Sequence, residues 1–155
     1  MKEKFMRAAI RLSRQKMREN CGGPFGAVIV RHQKIIGRGW NRVTSATDPT
    51  AHAEITAIRE ACAKLKTFEL GDCEIYTSCE PCPMCLGAIY WAHLRKIHYA
   101  NTRADAAAIQ FDDDFLYHEV ALPVTSRKIP MKQLLRCEAL EVFAEWKNKP
   151  DKTLY

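Results

Sequence analysis

The residues best suited to chemistry lie in two short motifs that could share one metal ion. His52 and Glu54 form an H-x-E motif, and Cys82 and Cys85 form a P-C-x-x-C motif further along the chain. One imidazole and two thiolates are common zinc ligands, and three protein ligands leave the fourth tetrahedral position open, as in catalytic sites. Water in that position becomes a nucleophile at neutral pH, because zinc lowers its pKa from 15.7 to about 7. Glu54, which need not touch the metal, could then carry protons between this water and a substrate nitrogen.

Each motif is weak by itself, and other interpretations stay open. A C-x-x-C pair is also typical of thioredoxin-like redox sites and of half a four-ligand structural zinc site. The sequence has no second C-x-x-C outside residues 79–85 and no His pair at the distance from it that a structural zinc site needs. A zinc-stabilised RNA-binding or interaction module without enzymatic activity is a further alternative, but it would have no use for the unligated carboxylate of Glu54. The two motifs together therefore favour catalytic zinc.

Composition predicts one domain over residues 1–155, with a packed core. The chain has 155 residues, of which 47% are hydrophobic, and a domain of this size buries roughly two-thirds of its unfolded surface. No apolar run reaches the length of about 20 residues that a membrane span needs. The charged N-terminal segment lacks the apolar core of a signal peptide, and the seven cysteines do not have secreted-scaffold spacing. We therefore expect a cytoplasmic protein without a membrane partner.

The positive net charge is ambiguous. The chain carries a formal charge of +6 and has a pI near 9.0, and much of the excess lies in the first predicted helix. A basic helix could contact an RNA backbone. Apolar residues at helical spacing on its opposite side favour instead the solvated face of an amphipathic helix. Charge alone does not identify the substrate.

The hydrophobic pattern predicts helices and strands that alternate along the chain. The predicted helices cover residues 3–19, 51–66, 81–93 and 136–147. The predicted strands cover residues 25–30, 35–40, 74–78, 95–100 and 127–134, the last as an exposed edge because it contains Pro130. This order is typical of a mixed sheet flanked by helices.

The predicted helix starts bring the motifs into position. His52 and Cys82 each fall near the start of a helix, where free N–H groups and the helix dipole favour thiolate over thiol. Cys82 and Cys85 are three residues apart and share a helical face. His52 and Glu54 are two residues apart, so their side chains can converge only where the chain is still entering the helix.

Four segments carry a resemblance to a known family. They are Gly22–Val30, Asp48–Glu54, Tyr76–Trp91 and Phe111–Asp113. H-x-E with P-C-x-x-C is the signature of zinc-dependent nucleobase deaminases, and these segments look like the small bacterial guanine deaminases, with the match densest over residues 20–115. The resemblance implies a cytidine-deaminase-like three-layer α/β/α sandwich with a mixed five-stranded sheet. It also implies hydrolysis of guanine to xanthine and ammonia with one zinc ion per chain.

The resemblance also implies a role for individual residues. His52, Cys82 and Cys85 would be the zinc ligands, Glu54 would deliver a proton to ring N3, and Asp113 would assist at the exocyclic amino group. The substrate-binding residues it implies are Phe25, Asn41, Ala53, Trp91 and Tyr155. Without the resemblance, Asp113 reads as part of a solvated acidic loop, Asn41 as a turn residue, and Phe25 and Trp91 as core aromatics.

The resemblance implies a homodimer whose partners exchange the C-terminal segment, residues 148–155. Tyr155 would then close over the base bound in the neighbouring subunit. The residues between 116 and 140 match the family less well than the site does.

The main competing family is the tRNA adenosine deaminases. It has the same zinc motifs, and a polyanionic substrate would suit the net charge of +6. That family lacks a segment like Phe111–Phe115 and an aromatic C-terminus. Another small base, such as cytosine or a triazine, is a further alternative. We therefore expect a purine base as the substrate and no nucleic-acid partner.

Overall fold

A mixed sheet of four strands organises the part of the chain that holds the two motifs. The computed structural model describes residues 2–154, and its strand order is β2-β1-β3-β4. The strands are β1 (Gly26–Arg31), β2 (Lys34–Trp40), β3 (Glu74–Cys79) and β4 (Lys96–Asn101). β1 is antiparallel to β2 and to β3, whereas β3 and β4 are parallel. The parallel pair is linked through a helix, as such a pair requires.

The four predicted helices are confirmed to within a few residues, and three further α-helices are present in residues 2–154. They are α1 (Glu3–Arg18), α2 (Val43–Ala46), α3 (Ala53–Leu65), α4 (Pro83–Trp91), α5 (Arg103–Ala107), α6 (Asp114–Ala121) and α7 (Arg136–Asn148). α2, α5 and α6 lie in segments for which the sequence predicted no regular element. None of the helices in residues 2–154 is long and apolar enough to cross a membrane.

Helices cover both faces of the sheet, because β1 and β3 bury side chains on both sides. Val28, Val30 and Tyr76 pack against Phe5 of α1. Their neighbours along the strands point the other way, and a second cluster brings together strand residues with the alanines of α3 and with Ile89 of α4. The sheet thus lies between α1 on one face and α3 with α4 on the other.

The predicted fifth strand is wrong. A short 3₁₀ helix (Val124–Ser126) and an irregular segment occupy residues 124–135, so the described sheet has four strands and not five. Pro130 has no N–H to donate to a ladder. Neighbouring polar groups find partners nearby instead, since the Lys128 N–H donates to Glu119 and the Arg127 guanidinium donates to the Leu122 carbonyl. These local hydrogen bonds take the place of a strand ladder in this segment.

The chain forms two compact units, residues 1–114 and residues 115–155. The first contains the sheet, α1 to α5 and both motifs. The second contains most of α6 and all of α7. The prediction of a single domain over residues 1–155 stays a prediction, as does the exchange of residues 148–155.

Candidate active site

The start of α3 turns His52 and Glu54 towards one point. His52 is the N-cap residue and has extended backbone angles, φ −67° and ψ 161°. Glu54 lies in the first helical turn. His52 Nδ1 is 3.6 Å from Cys85 Sγ, and Glu54 Oε2 is 3.4 Å from the same sulfur. Two residues that would diverge on a regular helix therefore converge, because the chain is still extended at the first of them.

The start of α4 has the same form. Cys82 is its N-cap residue, with φ −66° and ψ 167°, and Pro83 occupies the first helical position. Proline suits that position because its missing N–H would have no partner there. Cys85 follows in the first turn and is fully buried. α3 and α4 thus present their N-terminal ends to a common space.

The three side chains fit a zinc ion. The ligand atoms of His52, Cys82 and Cys85 all lie within 4.8 Å of one another, and His52 Nδ1 is 3.6 Å from each sulfur. Zn–S and Zn–N bonds of about 2.3 and 2.0–2.1 Å at a tetrahedral angle put nitrogen and sulfur about 3.6 Å apart. One imidazole and two thiols supply the donor types that zinc prefers.

The electrostatics of the two sulfurs also suit a cation. Hydrogen bonding with Cys85, followed by that with His52, lowers the pKa of Cys82 to about 4. Hydrogen bonding with Cys82, followed by burial, raises the pKa of Cys85. The hydrogen bond with Cys82 raises the pKa of His52, although burial opposes it. The cluster therefore favours the ionised form of Cys82, and a metal ion that binds both sulfurs must displace the proton of Cys85.

Glu54 is buried and hydrogen-bonded, with only 6% of its surface exposed. The Thr77 hydroxyl donates to Oε1 at 3.0 Å. The Cys85 thiol donates to Oε2 at 3.4 Å. Burial is the largest cause of the raised pKa of Glu54. A carboxyl group whose pKa is raised holds a proton more readily than an ordinary carboxylate, as a proton-transfer group requires.

Asn41 is buried immediately after β2, and its side-chain oxygen is already engaged. The backbone N–H groups of Gly23 and Val43 donate to Oδ1 at 3.3 and 3.2 Å. The contact is possible because residue 22 is glycine, with φ +153°. A Cβ there would come within 2.1 Å of the Asn41 carbonyl oxygen. With Oδ1 occupied by two donors, the Nδ2 amino group is the part of Asn41 that remains for a ligand.

Phe25 and Ala53 lie close in sequence to residues of the candidate site. Phe25 precedes β1 and makes an edge-to-face contact with Phe111, with ring centroids 4.9 Å apart. Ala53 separates His52 from Glu54 and is fully buried. The absence of a side chain at Gly39 lets β2 approach this turn, since a Cβ there would lie only 1.9 Å from the Ala53 carbonyl oxygen.

Asp113 lies near the metal-ligand cluster rather than in bulk solvent. It is half-buried, whereas Asp112 and Asp114 on either side are exposed. Burial and the charge on Cys82 raise the pKa of Asp113. The acidic loop therefore places one carboxyl group where its charge interacts with the Cys82 thiolate.

Of the predicted substrate-binding residues, Trp91 is not brought into this cluster. Trp91 is the last residue of α4 and is 67% exposed. It lies six residues beyond Cys85, roughly 9 Å along the helix axis. Tyr155 lies outside the described residues. Both assignments stay predictions.

The sequence analysis missed Thr77. It lies in β3 two residues after Ile75, so both side chains point to the face that packs against α3. A hydroxyl in the middle of a buried strand usually needs a partner, and this was the signal that could have identified it.

Comparison with known proteins agrees with this geometry. The family model of the cytidine and deoxycytidylate deaminase zinc-binding region matches residues 1–101. The guanine deaminase of Bacillus subtilis is 50% identical over 153 residues, which covers 99% of this chain and 98% of that protein. Its X-ray structure superposes with a TM-score of 0.96. The tRNA-specific adenosine deaminase of Buchnera aphidicola is more distant, at 34% identity over 84% of this chain and 85% of its own length.

The structure of a second guanine deaminase is less similar to this chain. The guanine deaminase of Nitrosomonas europaea has a TM-score of 0.67 and 36% identity, covering 71% of this chain and 64% of that one. A match over nearly the full length of both chains at 50% identity is far beyond what a common fold alone requires. The chain therefore belongs to the cytidine and deoxycytidylate deaminase family of zinc-binding proteins and, within it, to the guanine deaminases.

Proposed function

We propose that the protein catalyses the hydrolytic deamination of guanine to xanthine and ammonia with one zinc ion per chain. The observation that carries the proposal is the buried carboxyl of Glu54 beside His52, Cys82 and Cys85, in a chain 50% identical over its length to a guanine deaminase. His52, Cys82 and Cys85 hold the metal. When bound, zinc supplies the Lewis acidity that makes water nucleophilic at neutral pH.

Glu54 moves the protons of the reaction. Its carboxylate accepts a proton from the attacking water and delivers it to ring N3, while the new C–O bond forms at C2. The carboxylate then takes the second water proton from the new hydroxyl on C2 and delivers it to the exocyclic nitrogen. The C–N bond breaks as the C2 carbonyl forms, ammonia leaves, and Glu54 is again a carboxylate. The environment of Glu54 suits this role, because burial raises its pKa above that of an ordinary carboxyl group. A general acid–base group works best when its pKa is close to the ambient pH.

Asn41 and Asp113 orient the base. The two backbone donors on Asn41 Oδ1 leave its amino group to donate to an acceptor atom of the purine. Guanine offers such acceptors at N7 and O6. Asp113, close enough to the cluster for the charge on Cys82 to affect it, accepts from the exocyclic amino group of the substrate. Phe25 and Ala53 border the pocket, and Trp91 and Tyr155 complete it.

Deamination of adenosine in tRNA is the second candidate. It is favoured by the net charge of +6 and by the 34% identity to the tRNA-specific adenosine deaminase of Buchnera aphidicola. The exposed basic side chains of α1 are not interleaved with exposed aromatic residues, which single-stranded nucleic acid would need for base stacking. We therefore rank this candidate below guanine and do not expect a nucleic-acid partner.

A homodimer is part of the proposal. The second unit exposes apolar side chains on α7, among them Phe143 at 72% and Val142 at 61%. β4 is an edge strand of the sheet, and unprotected edges and large apolar patches mark interaction surfaces. A second copy of this chain, exchanging residues 148–155, is the partner that we propose. A cytoplasmic location, which keeps the cysteine ligands reduced, completes the proposal.

A substrate screen tests the function. Ammonia release is measured for guanine, adenine, cytosine, ammeline and a tRNA with an anticodon adenosine, using zinc-loaded wild type and Glu54→Gln. We expect release from guanine, and a loss of about 10²–10⁴-fold in the variant at unchanged zinc content. Inosine formation in tRNA with inert guanine would establish the second candidate. Zinc loss in proportion to activity would make Glu54 a ligand.

A further inference from the structure

We propose that Thr77 is a positioning residue for Glu54, whose hydroxyl holds one carboxylate oxygen so that the other faces the metal ligands. The inference rests on the proposed function, in which Glu54 carries protons. It adds a determinant on a different element, 23 residues away in sequence, that is not one of the candidate metal ligands.

The anchor is rigid because of where it lies. Thr77 is 1% exposed and lies in β3, an inner strand of the sheet. Its backbone pairs with Ala27 on one side and with Tyr99 on the other. Strand pairing on both sides fixes the Cα position, and β-branching restricts the side chain to few rotamers. The hydroxyl can therefore hold Glu54 in one orientation.

The two carboxylate oxygens of Glu54 have different partners. Oε1 accepts from Thr77 at 3.0 Å, and Oε2 lies 3.4 Å from Cys85. Oε2 is thus the oxygen on the side of the metal ligands. A thiol that binds a metal ion becomes a thiolate and no longer donates, so the bond from Cys85 is lost when the site is loaded. Thr77 is then the side-chain donor that persists among the described contacts of Glu54.

Loss of this hydroxyl should affect turnover rather than binding. Without the donor on Oε1, the carboxylate can rotate about its terminal bond and spend part of its time with neither oxygen aligned for proton transfer. A misplacement of this kind lowers the rate of the chemical step, whereas the groups that bind the base stay where they are. The effect should therefore fall on kcat and leave KM nearly unchanged.

The test uses three variants of the zinc-loaded full chain. Thr77→Val keeps the shape but removes the hydroxyl, and Thr77→Ser keeps the hydroxyl. Ser78→Ala is the matched control, because it removes a buried hydrogen bond, on the opposite face of the same strand, that the Ser78 hydroxyl accepts from the Gly26 N–H.

We expect Thr77→Val to lower kcat for guanine about tenfold or more, the effect of one charge-assisted hydrogen bond, with KM within twofold. Thr77→Ser should retain at least a third of wild-type kcat, and Ser78→Ala should keep full kcat.

Glu54 itself provides the second measurement. If Thr77 acts through Glu54, adding Thr77→Val to Glu54→Gln should lower the residual rate by less than twofold, since the two changes would not be additive. A kcat of Thr77→Val within twofold of wild type would overturn the inference. So would equal losses in Thr77→Val and Thr77→Ser, or fully additive losses in the double variant. Wild-type turnover of guanine is measured first, so a failure of the proposed function appears as an inactive wild type and is distinct from these outcomes.

Discussion

At the scale of residues, some side chains of the candidate site also form hydrogen bonds that fix neighbouring segments of the chain. Asn41 is the clearest case. Its Oδ1 accepts from the N–H groups of Gly23 and Val43, and its amino group takes no part in these two bonds. One side chain thus ties the Gly22–Gly23 loop to the end of β2 and, in the proposed function, presents a donor to the base.

Two substitutions at this position should separate the two functions. Asn41→Asp keeps an oxygen that accepts from both N–H groups but replaces the amino donor by a second oxygen, which would repel an acceptor on the base. We expect nearly wild-type thermal stability and a loss in kcat/KM for guanine of about 100-fold, because a buried acceptor would be left unpaired. Asn41→Ala should lose both activity and about 1–3 kcal/mol of stability, because two buried N–H groups lose their partner. Steady-state kinetics and chemical denaturation provide the comparison. Equal stability of the two variants would contradict this account.

At the scale of elements, the site is set by how closely β2 approaches α3. A Cβ at Gly39 would lie 1.9 Å from the Ala53 carbonyl oxygen and 2.4 Å from the Ala57 nitrogen. These are backbone atoms of the helix whose first turn bears Glu54 and whose N-cap is His52. Any side chain at position 39 therefore has to displace α3 itself.

Gly39→Ala should accordingly lower both stability and metal content. We expect a destabilisation of a few kcal/mol, as for other substitutions that overfill a packed site, and a reduced zinc content because His52 moves away from the two sulfurs. Gly87→Ala is the control, since a Cβ there meets nothing within 4 Å. That change should stabilise α4 by roughly 0.5–1 kcal/mol through helix propensity. Denaturation midpoints and zinc analysis of both variants test this prediction. A zinc-replete Gly39→Ala protein of wild-type stability would contradict it.

β3 and β4 are also joined by a charged network at the end where both strands begin. Glu74 accepts from Arg95 at 2.8 Å, from His98 at 3.0 Å and from Tyr76 at 3.1 Å. Burial by itself raises the pKa of Glu74, but the hydrogen bonds from His98, Tyr76 and Arg95 outweigh it and lower the pKa to about 2. The ionised carboxylate is therefore favoured in the folded state.

This shift predicts a pH dependence of stability with a definite sign. The folded pKa is about 2 and the ordinary value is 4.5, so the stabilisation is fully present above pH 4.5 and is lost as the pH falls towards 2. It amounts to at most about 3 kcal/mol. In denaturant titrations, wild type should exceed Glu74→Gln in stability at pH 6, and the difference should shrink as the pH falls below 4.5. Both proteins have the same zinc ligands, so acid release of the metal affects them alike. A difference independent of pH would rule out this role for Glu74.

At the scale of the whole molecule, the second unit has an apolar surface that a single chain does not cover. Phe143 and Val142 on α7 and Ile129 in the preceding segment are 72%, 61% and 77% exposed. Exposed patches of this kind on soluble proteins usually mark an interaction surface. The proposed homodimer would bury it, and light scattering should give a mass of two chains.

Removal of residues 150–155 tests the proposed exchange of the tail. The shortened protein should stay folded and zinc-loaded, because the metal ligands and the sheet all lie in residues 1–114. Its turnover of guanine should be severely reduced, because Tyr155 would no longer close over the base in the neighbouring subunit and exclude water. Kinetics, zinc analysis and light scattering are measured on the same preparation. Full activity of this form would remove Tyr155 from the site.

The candidate metal ligands His52, Cys82 and Cys85, and Glu54 beside them, could be selected from the sequence, because their chemistry depends on residue type and on spacings within a single helical turn. The positions of α1, α3, β1 and β3 could also be predicted to within a few residues, because each segment has a regular hydrophobic pattern. The predicted fifth strand at residues 127–134 failed because Pro130 has no N–H for a strand ladder and because local hydrogen bonds engage Arg127 and Lys128.

Only the tertiary structure decided how distant parts of the chain serve the site. The bond from Thr77 to Glu54 spans 23 residues, and that from Gly23 to Asn41 spans 18. The burial of Asp113 near Cys82 likewise distinguishes it from the two aspartates beside it. The sequence by itself determines which reactive side chains the protein has. Strand order and helix packing decide which atoms of those groups are held, and therefore which remain for a substrate.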